Sequence, residues 1–216
     1  MPVVGTPDGR WFERDPVVLA PLLLGGVLRR ADAEGAVALR LTEVEAYRGS
    51  DDPGAHTFRG RTARNASMFG PGGRVYCYFT YGMHHAVNLV ARPEGSGWGV
   101  LVRAGAVVEG APLALRRRSA RRAAPPTGEL ARGPGNVAQA LGATLADDGA
   151  VLGASGPLTV AAWSFEPADA PLPFATGPRV GVSGPGGDGA AFPWRFWLPG
   201  EPSVCAYRRA ASRPRP

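Results

Sequence analysis

One run, AVALRLTEVEAY (residues 36–47), constrains the fold more than any other. Its alternation reads as a β-strand. Val37, Leu39 and Leu41 share one face, and by a period of two Glu43 and Glu45 share it as well. A buried carboxylate is costly unless paired. The run therefore asks for either an arginine partner or a general base that activates water. Spacing does not choose between the two glutamates, and like charges so close push one pKa upward.

A second run, VYCYFTYGMHHAVNLV (75–90), carries three of the chain's five tyrosines and two of its three histidines. It reads as a strand that runs into a turn at TYGM and returns. Core packing accounts for Tyr76 and allows Tyr78 to serve as a stacking platform. Tyr81 falls at the turn, where a tyrosine cannot be core and can wedge between bases. Arginines flank the run: Arg59, Arg61, Arg64, Arg74 and Arg92. Basic residues interleaved with aromatics suit a nucleic acid better than a membrane.

Between the runs, residues 48–74 form a long Gly- and Arg-rich stretch without apolar period, the signature of a functional loop. DPVVLAPLLLGGVL (15–28) reads as a helix with Asp15 as N-cap, Pro16 in the first turn and Gly25-Gly26 as the stop. It is too short to span a bilayer. AVNLVAR and WGVLVRAGAV read as strands joined by a PEGSG turn. RRRSARRAAPPTG reads as a basic loop, and GPGNVAQALGA as a helix after a Gly-Pro-Gly turn. GPLTVAAW, GPRVGVS and PWRFWLPG read as later strands, and the tail RRAASRPRP as frayed.

The charge of +6 and pI near 10.1 favour an anionic partner. All 24 basic residues are arginine, so no lysine is present to form a Schiff base. Cys77 and Cys205 make no disulfide framework and point to a reducing compartment. Glu43, Glu45, His56, His84 and His85 could be metal ligands, but there is no HExxH, no CxxC and no His pair at i, i+4. No metal or other cofactor is expected.

LTEVEAYRGSDDPGAHTFRGRTARN, MFGPGG, VYCYFTYGMHHAVN, VLVRA, GPGNVAQALG and GPRVGV…PWRFW follow one another in an order and spacing that resembles the alkyladenine (3-methyladenine, methylpurine) DNA glycosylases. The resemblance implies an enzyme that flips a damaged purine out of duplex DNA. It selects Glu45, before Ala-Tyr, as the base. It implies that Arg103 and the backbone carbonyl of Val180 help hold the attacking water. Tyr47, His56 and Tyr78 would stack on the flipped base, Asn88 and Leu101 would line the pocket, and Asn88 would disfavour the exocyclic amine of guanine. Tyr81, supported by Met83, would be the wedge, with Arg59, Arg61 and Arg64 against DNA.

Elements and resemblance together give the expectation of one α+β domain over 1–216. Its curved, mainly antiparallel sheet is edged by helices and bears a protruding hairpin, with flexible ends at 1–10 and 208–216. The expected activity is monofunctional hydrolysis of alkylated or deaminated purine nucleotides, by a cytoplasmic monomer acting on double-stranded DNA. The competing reading is a non-catalytic damaged-DNA or RNA binder with the same aromatic box. Two departures stand out: Ala63 where the family often has proline, and Asn136 where it often has lysine.

Overall fold

The computed structural model describes residues 7–80, 84–92, 94–119, 125–153 and 162–210. A short helix α1 (Gly9–Phe12) precedes α2 (Pro16–Leu23), β1 (Val27–Asp32) and β2 (Gly35–Tyr47). Then come the hairpin strands β3 (Val75–Thr80) and β4 (His84–Ala91), β5 (Trp98–Glu109), α3 (Ala111–Ser119), β6 (Ala131–Arg132) and α4 (Pro134–Leu141). The last elements are β7 (Ala162–Glu166), β8 (Ala175–Gly177) and β9 (Arg195–Trp197). Helices and strands combine into an α+β fold around one antiparallel sheet, ordered β3-β4-β5-β2-β1-β7 among the described residues.

Asp15 caps α2 as its sequence implies: the side chain accepts from the Val17 amide, and Pro16 opens the helix. Gly25, at φ 79°, ends it in a conformation glycine adopts without strain. Leu19 and Leu23 of α2 and Val137 and Leu141 of α4 join the strands in one apolar core. Each such side chain contributes roughly 1.5–3 kcal/mol when fully buried.

Strand β2 is the spine. Its first half pairs with β1, its second with β9, and its other edge with β5 throughout. The expectation that Glu43 and Glu45 share the face of Leu41 is overturned here. The β2–β5 register shifts between Leu41 and Glu43 and again between Glu43 and Val44. The core members of the strand accordingly run Val37, Leu39, Leu41 and then Val44, Ala46. Thr42 on β2 and Arg103 on β5 have no partner in this ladder, so each strand carries one extra residue that moves every following side chain to the opposite face while the register on either side stays the same. Both glutamates therefore leave the apolar side.

Other readings change as well. Arg116–Ser119 of the basic loop form the last turn of α3. GPRVGVS is a strand only at Gly177, and residues 178–183 are irregular. GPLTVAAW falls largely outside the described residues, with Ala162 and Trp163 opening β7. The hairpin tip with Tyr81 and Met83 also lies outside them. At the chain ends, Gly9 and Arg10 sit in a helical turn, and the Arg208 carbonyl accepts a bond from the Gly181 amide. Among the described residues no helix is long and apolar enough to cross a membrane.

Candidate active site

The sheet register builds a floor from residues far apart in sequence. Glu45 on β2 is paired with Leu101 on β5, Leu101 with Asn88 on β4, and Asn88 with Tyr76 on β3. These four residues form one transverse row, and all four line a cavity of about 470 Å³. Paired residues on adjacent strands present their side chains to the same face. Two residues further along β3, Tyr78 and its partner Ala86 continue the lining.

The walls come from loops. Tyr47 ends β2, while His56 and Met68 come from the Arg-rich stretch. Pro134 at the start of α4 and residues 180–183 close the other side. The His56 ring meets Tyr78 edge-on at 4.5 Å between centroids, and Tyr78 stacks on Tyr76 at 5.2 Å. His56 is exposed on its outer side, but partial desolvation, and then the positive charge of Arg64, hold its pKa below the ordinary value of 6.5. Its imidazole is thus neutral at pH 7. Burial pushes the Tyr76 hydroxyl up to about 12. Among the described residues its oxygen has no hydrogen-bond partner.

Glu45 is fully buried yet reaches this cavity. Its Oε1 accepts from the Val180 amide at 2.8 Å and lies 3.3 Å from Arg103 Nη1. Its Oε2 accepts from the Tyr47 hydroxyl at 2.8 Å. A carboxylate has about four lone-pair sites. Two hydrogen bonds and the Arg103 ion pair fix its plane, one hydrogen bond on each oxygen. Burial and the neighbouring Glu45 charge hold the Tyr47 hydroxyl well above its usual range, so it remains a donor.

Glu43 has a different environment. Its Oε1 accepts from Arg103 Nε at 2.9 Å and from Arg195 Nε at 2.7 Å, and its Oε2 from the Cys205 amide at 2.8 Å. Fully buried and absent from the cavity lining, it anchors Arg103 from behind. Burial alone would lower the Arg103 pKa. Glu45 and Glu43 beside it outweigh that and hold the guanidinium above its ordinary value. Two carboxylates and two guanidiniums make the cluster neutral as a whole, which offsets the cost of burying it.

Behind the Tyr47 wall sits a second buried pair. Arg179 donates to Asp52 through Nη1 at 2.5 Å and Nη2 at 2.7 Å, with neither side chain exposed. The same guanidinium donates to the carbonyls of Ala46 and Gly186 and lies 4.5 Å from the centre of the Tyr47 ring. Because Val180 follows Arg179 in the chain, the pair anchors the segment whose amide holds Glu45.

All eight residues expected at the catalytic and base-binding site line one cavity: Glu45, Tyr47, His56, Tyr78, Asn88, Leu101, Arg103 and Val180. For Val180 the amide is the atom engaged with Glu45. Arg59, Arg61 and Arg64 are exposed, and Arg64 Nη2 donates to the Phe79 carbonyl beside the hairpin turn. Asn65 ties the loop that carries them, accepting from the Thr62 amide and donating to the carbonyls of His56 and Gly60. That turn forms with Ala63 in place of proline. Asn136 donates to the Arg132 carbonyl at 2.6 Å.

Sequence reading missed Tyr76 as a lining residue, although period two places it with Tyr78. It also missed Met68 and the Asp52–Arg179 pair. Among the described residues no three His, Cys, Asp or Glu side chains converge as metal ligands.

Comparison with known proteins shows the family. The methylpurine-DNA glycosylase (MPG) family matches residues 10–202. A Leifsonia xyli subsp. xyli protein assigned as a 3-methyladenine DNA glycosylase is 56% identical over 202 residues, covering 92% of this chain and 91% of the relative. A Streptomyces avermitilis protein with the same assignment is 50% identical over 213 residues, covering 97% and 96%. A third, from Nocardia farcinica, is 47% identical over 209 residues, covering 93% and 91%. This chain belongs to the methylpurine-DNA glycosylase family, DNA-repair glycosylases of the 3-methyladenine type.

Proposed function

We propose that the protein hydrolyses the N-glycosidic bond of alkylated or deaminated purines flipped out of duplex DNA, and leaves an abasic site. The observation that carries this is Glu45: a carboxylate fixed by two hydrogen bonds and an arginine ion pair at a cavity walled by Tyr47, His56 and Tyr78. Glu45 deprotonates a water as the water oxygen bonds to C1′ of the sugar. The bond from C1′ to the purine breaks, and its electron pair leaves with the base. For a purine alkylated at N3 or N7 the leaving group is cationic and departs neutral, so no strong general acid is needed.

Arg103 and the Val180 carbonyl hold the water in line. The aromatic walls favour a cationic purine over a neutral one. Asn88 and Leu101 form the floor, where Asn88 disfavours the exocyclic amine of guanine. Tyr81, with Met83, fills the space left in the duplex, and Arg59, Arg61 and Arg64 contact the backbone. Without lysine, the reaction stops at hydrolysis, with no strand cleavage by an amine. The enzyme acts as a cytoplasmic monomer at the chromosome.

The test is a duplex carrying 3-methyladenine, 7-methylguanine or hypoxanthine, followed by alkali to cut abasic sites. Strand breaks should appear with the parent protein and fall at least about 100-fold with Glu45→Gln. Equal breaks with the variant would remove Glu45 as the base. Binding without breaks in the parent would leave a non-catalytic damage binder.

A further inference from the structure

The sequence PSVCAYRRA reads as an end that frays from Arg208 onward, but the structure ties it to the catalytic loop. The Gly181 amide donates to the Arg208 carbonyl at 3.2 Å. Gly181 directly follows Val180, whose amide holds Glu45. The terminal arm therefore hangs on the segment that positions the base.

Beyond that segment lies a second groove, of about 640 Å³. Val182 and Ser183 line both this groove and the base cavity, so a single turn of chain separates the two. Tyr207 and Arg209 line its other side. Tyr207 is 45% exposed. Arg208 and Arg209 are exposed, and among the described residues neither enters an ion pair. Asp188 is the acidic residue of the lining, and its Oδ1 is engaged with the amides of Ala190 and Ala191.

The intervening loop is rich in glycine. Gly181 and Gly184 take positive φ, and a Cβ on either would meet nothing within 4 Å. Their backbone is bare toward open space, which permits close approach by another chain. A glycine-bordered groove that carries Arg209 on one side, has its one carboxylate tied to backbone amides and shares a wall with a base pocket is complementary to a sugar–phosphate chain.

We propose that this groove takes the backbone of the DNA strand adjoining the flipped nucleotide. Arg208 and Arg209 neutralise its phosphates, and Tyr207 packs against its sugar. Contact with this stretch then bears directly on the loop that orients Glu45. The proposal rests on the glycosylase reading and adds a DNA contact separate from the Arg59–Arg64 loop.

The test compares parent protein with the double variant Arg208→Gln/Arg209→Gln. Affinity for a damaged and an undamaged duplex is measured by fluorescence anisotropy across a salt series. Each phosphate neutralised on duplex DNA contributes about 0.9 to the slope of log K against log salt. The double variant should lower that slope by about 1.8 and weaken both duplexes equally. Arg209→Glu should weaken both further than Arg209→Gln. A slope equal to the parent's, or a loss confined to the damaged duplex, overturns the proposal. These outcomes are separable from the glycosylase reading itself, which fails only if the parent protein releases no purine.

Discussion

Asp52→Asn is the most informative single change, because it removes a charge without changing shape. The carboxylate and the Arg179 guanidinium face each other at 2.5 and 2.7 Å with no exposed surface on either side chain. Asparagine matches the volume, so no cavity opens and the loss is electrostatic. It also introduces a donor where only donors are present: Asp52 accepts from Arg179, from the Gly54 amide at 2.9 Å and from the Arg48 amide at 3.2 Å. Whichever way the amide turns, its NH₂ meets another N–H. Leaving one member of a buried pair uncompensated costs about 3–5 kcal/mol. For a chain of this size each kcal/mol lowers the melting temperature by roughly 2–4 °C, so the expected drop is about 6–20 °C by circular dichroism. Asp52→Asn/Arg179→Met removes the stranded cation and should be less destabilised than the sum of the single changes. It will not return to the parent value, because the Ala46 and Gly186 carbonyls lose their donors. A drop below about 3 °C for Asp52→Asn would refute the assignment of this pair as the anchor of the catalytic loop.

His56 predicts a pH effect that depends on lesion charge. Its pKa in the folded protein lies below 6.5, so the neutral ring is the majority form at 6.5 and the proton is gained as pH falls further. Excision of cationic 7-methylguanine should therefore fall relative to neutral hypoxanthine as pH drops below 6.5, and His56→Gln should flatten that ratio; a constant ratio from pH 7 to 5 contradicts it. The same shift means the unfolded chain takes up this proton first, so the group opposes stability as pH falls through 6.5. Glu43→Gln should cost more in melting temperature than in single-turnover rate, whereas Glu45→Gln should abolish turnover; equal rate losses would undo the division of labour between them. Asn65→Ala should destabilise by about 1–3 kcal/mol and speed hydrogen exchange over 56–65; unchanged exchange there would show that the loop does not depend on it. Activity should be unaltered by a chelator, and inactivation that zinc or magnesium restores would require a metal site.

Much of the site is legible in the sequence because the motif residues sit at the ends or middles of strands. Tyr78 and Asn88 occupy regular strand positions, and with Arg103, which the resemblance alone singles out, they line the cavity. What separates Glu45 from Glu43 is not local. Glu43 is engaged by Arg195 and by the Cys205 amide, 152 and 162 residues away, and no spacing within β2 carries that information. The face of the glutamates was misread for a related reason: the shift belongs to the pairing of β2 with β5, not to β2 alone. Asp52 and Arg179 lie 127 residues apart and read individually as ordinary polar loop residues. The tail looks frayed from composition, yet one backbone hydrogen bond at Arg208 holds it against Gly181.

The irregular register in the middle of β2 sets the phase of everything after it. Upstream, odd positions belong to the core, and downstream even ones do. Had the strand alternated without a break from Leu41 onward, every motif residue would still be in the chain. The carboxylate at position 45 would then face the leucines, away from Tyr47 and the Val180 amide. Presentation of Glu45 to the cavity is thus a matter of counting as well as chemistry. Any transplant of the Glu-Ala-Tyr signature onto another sheet must bring the offset with it.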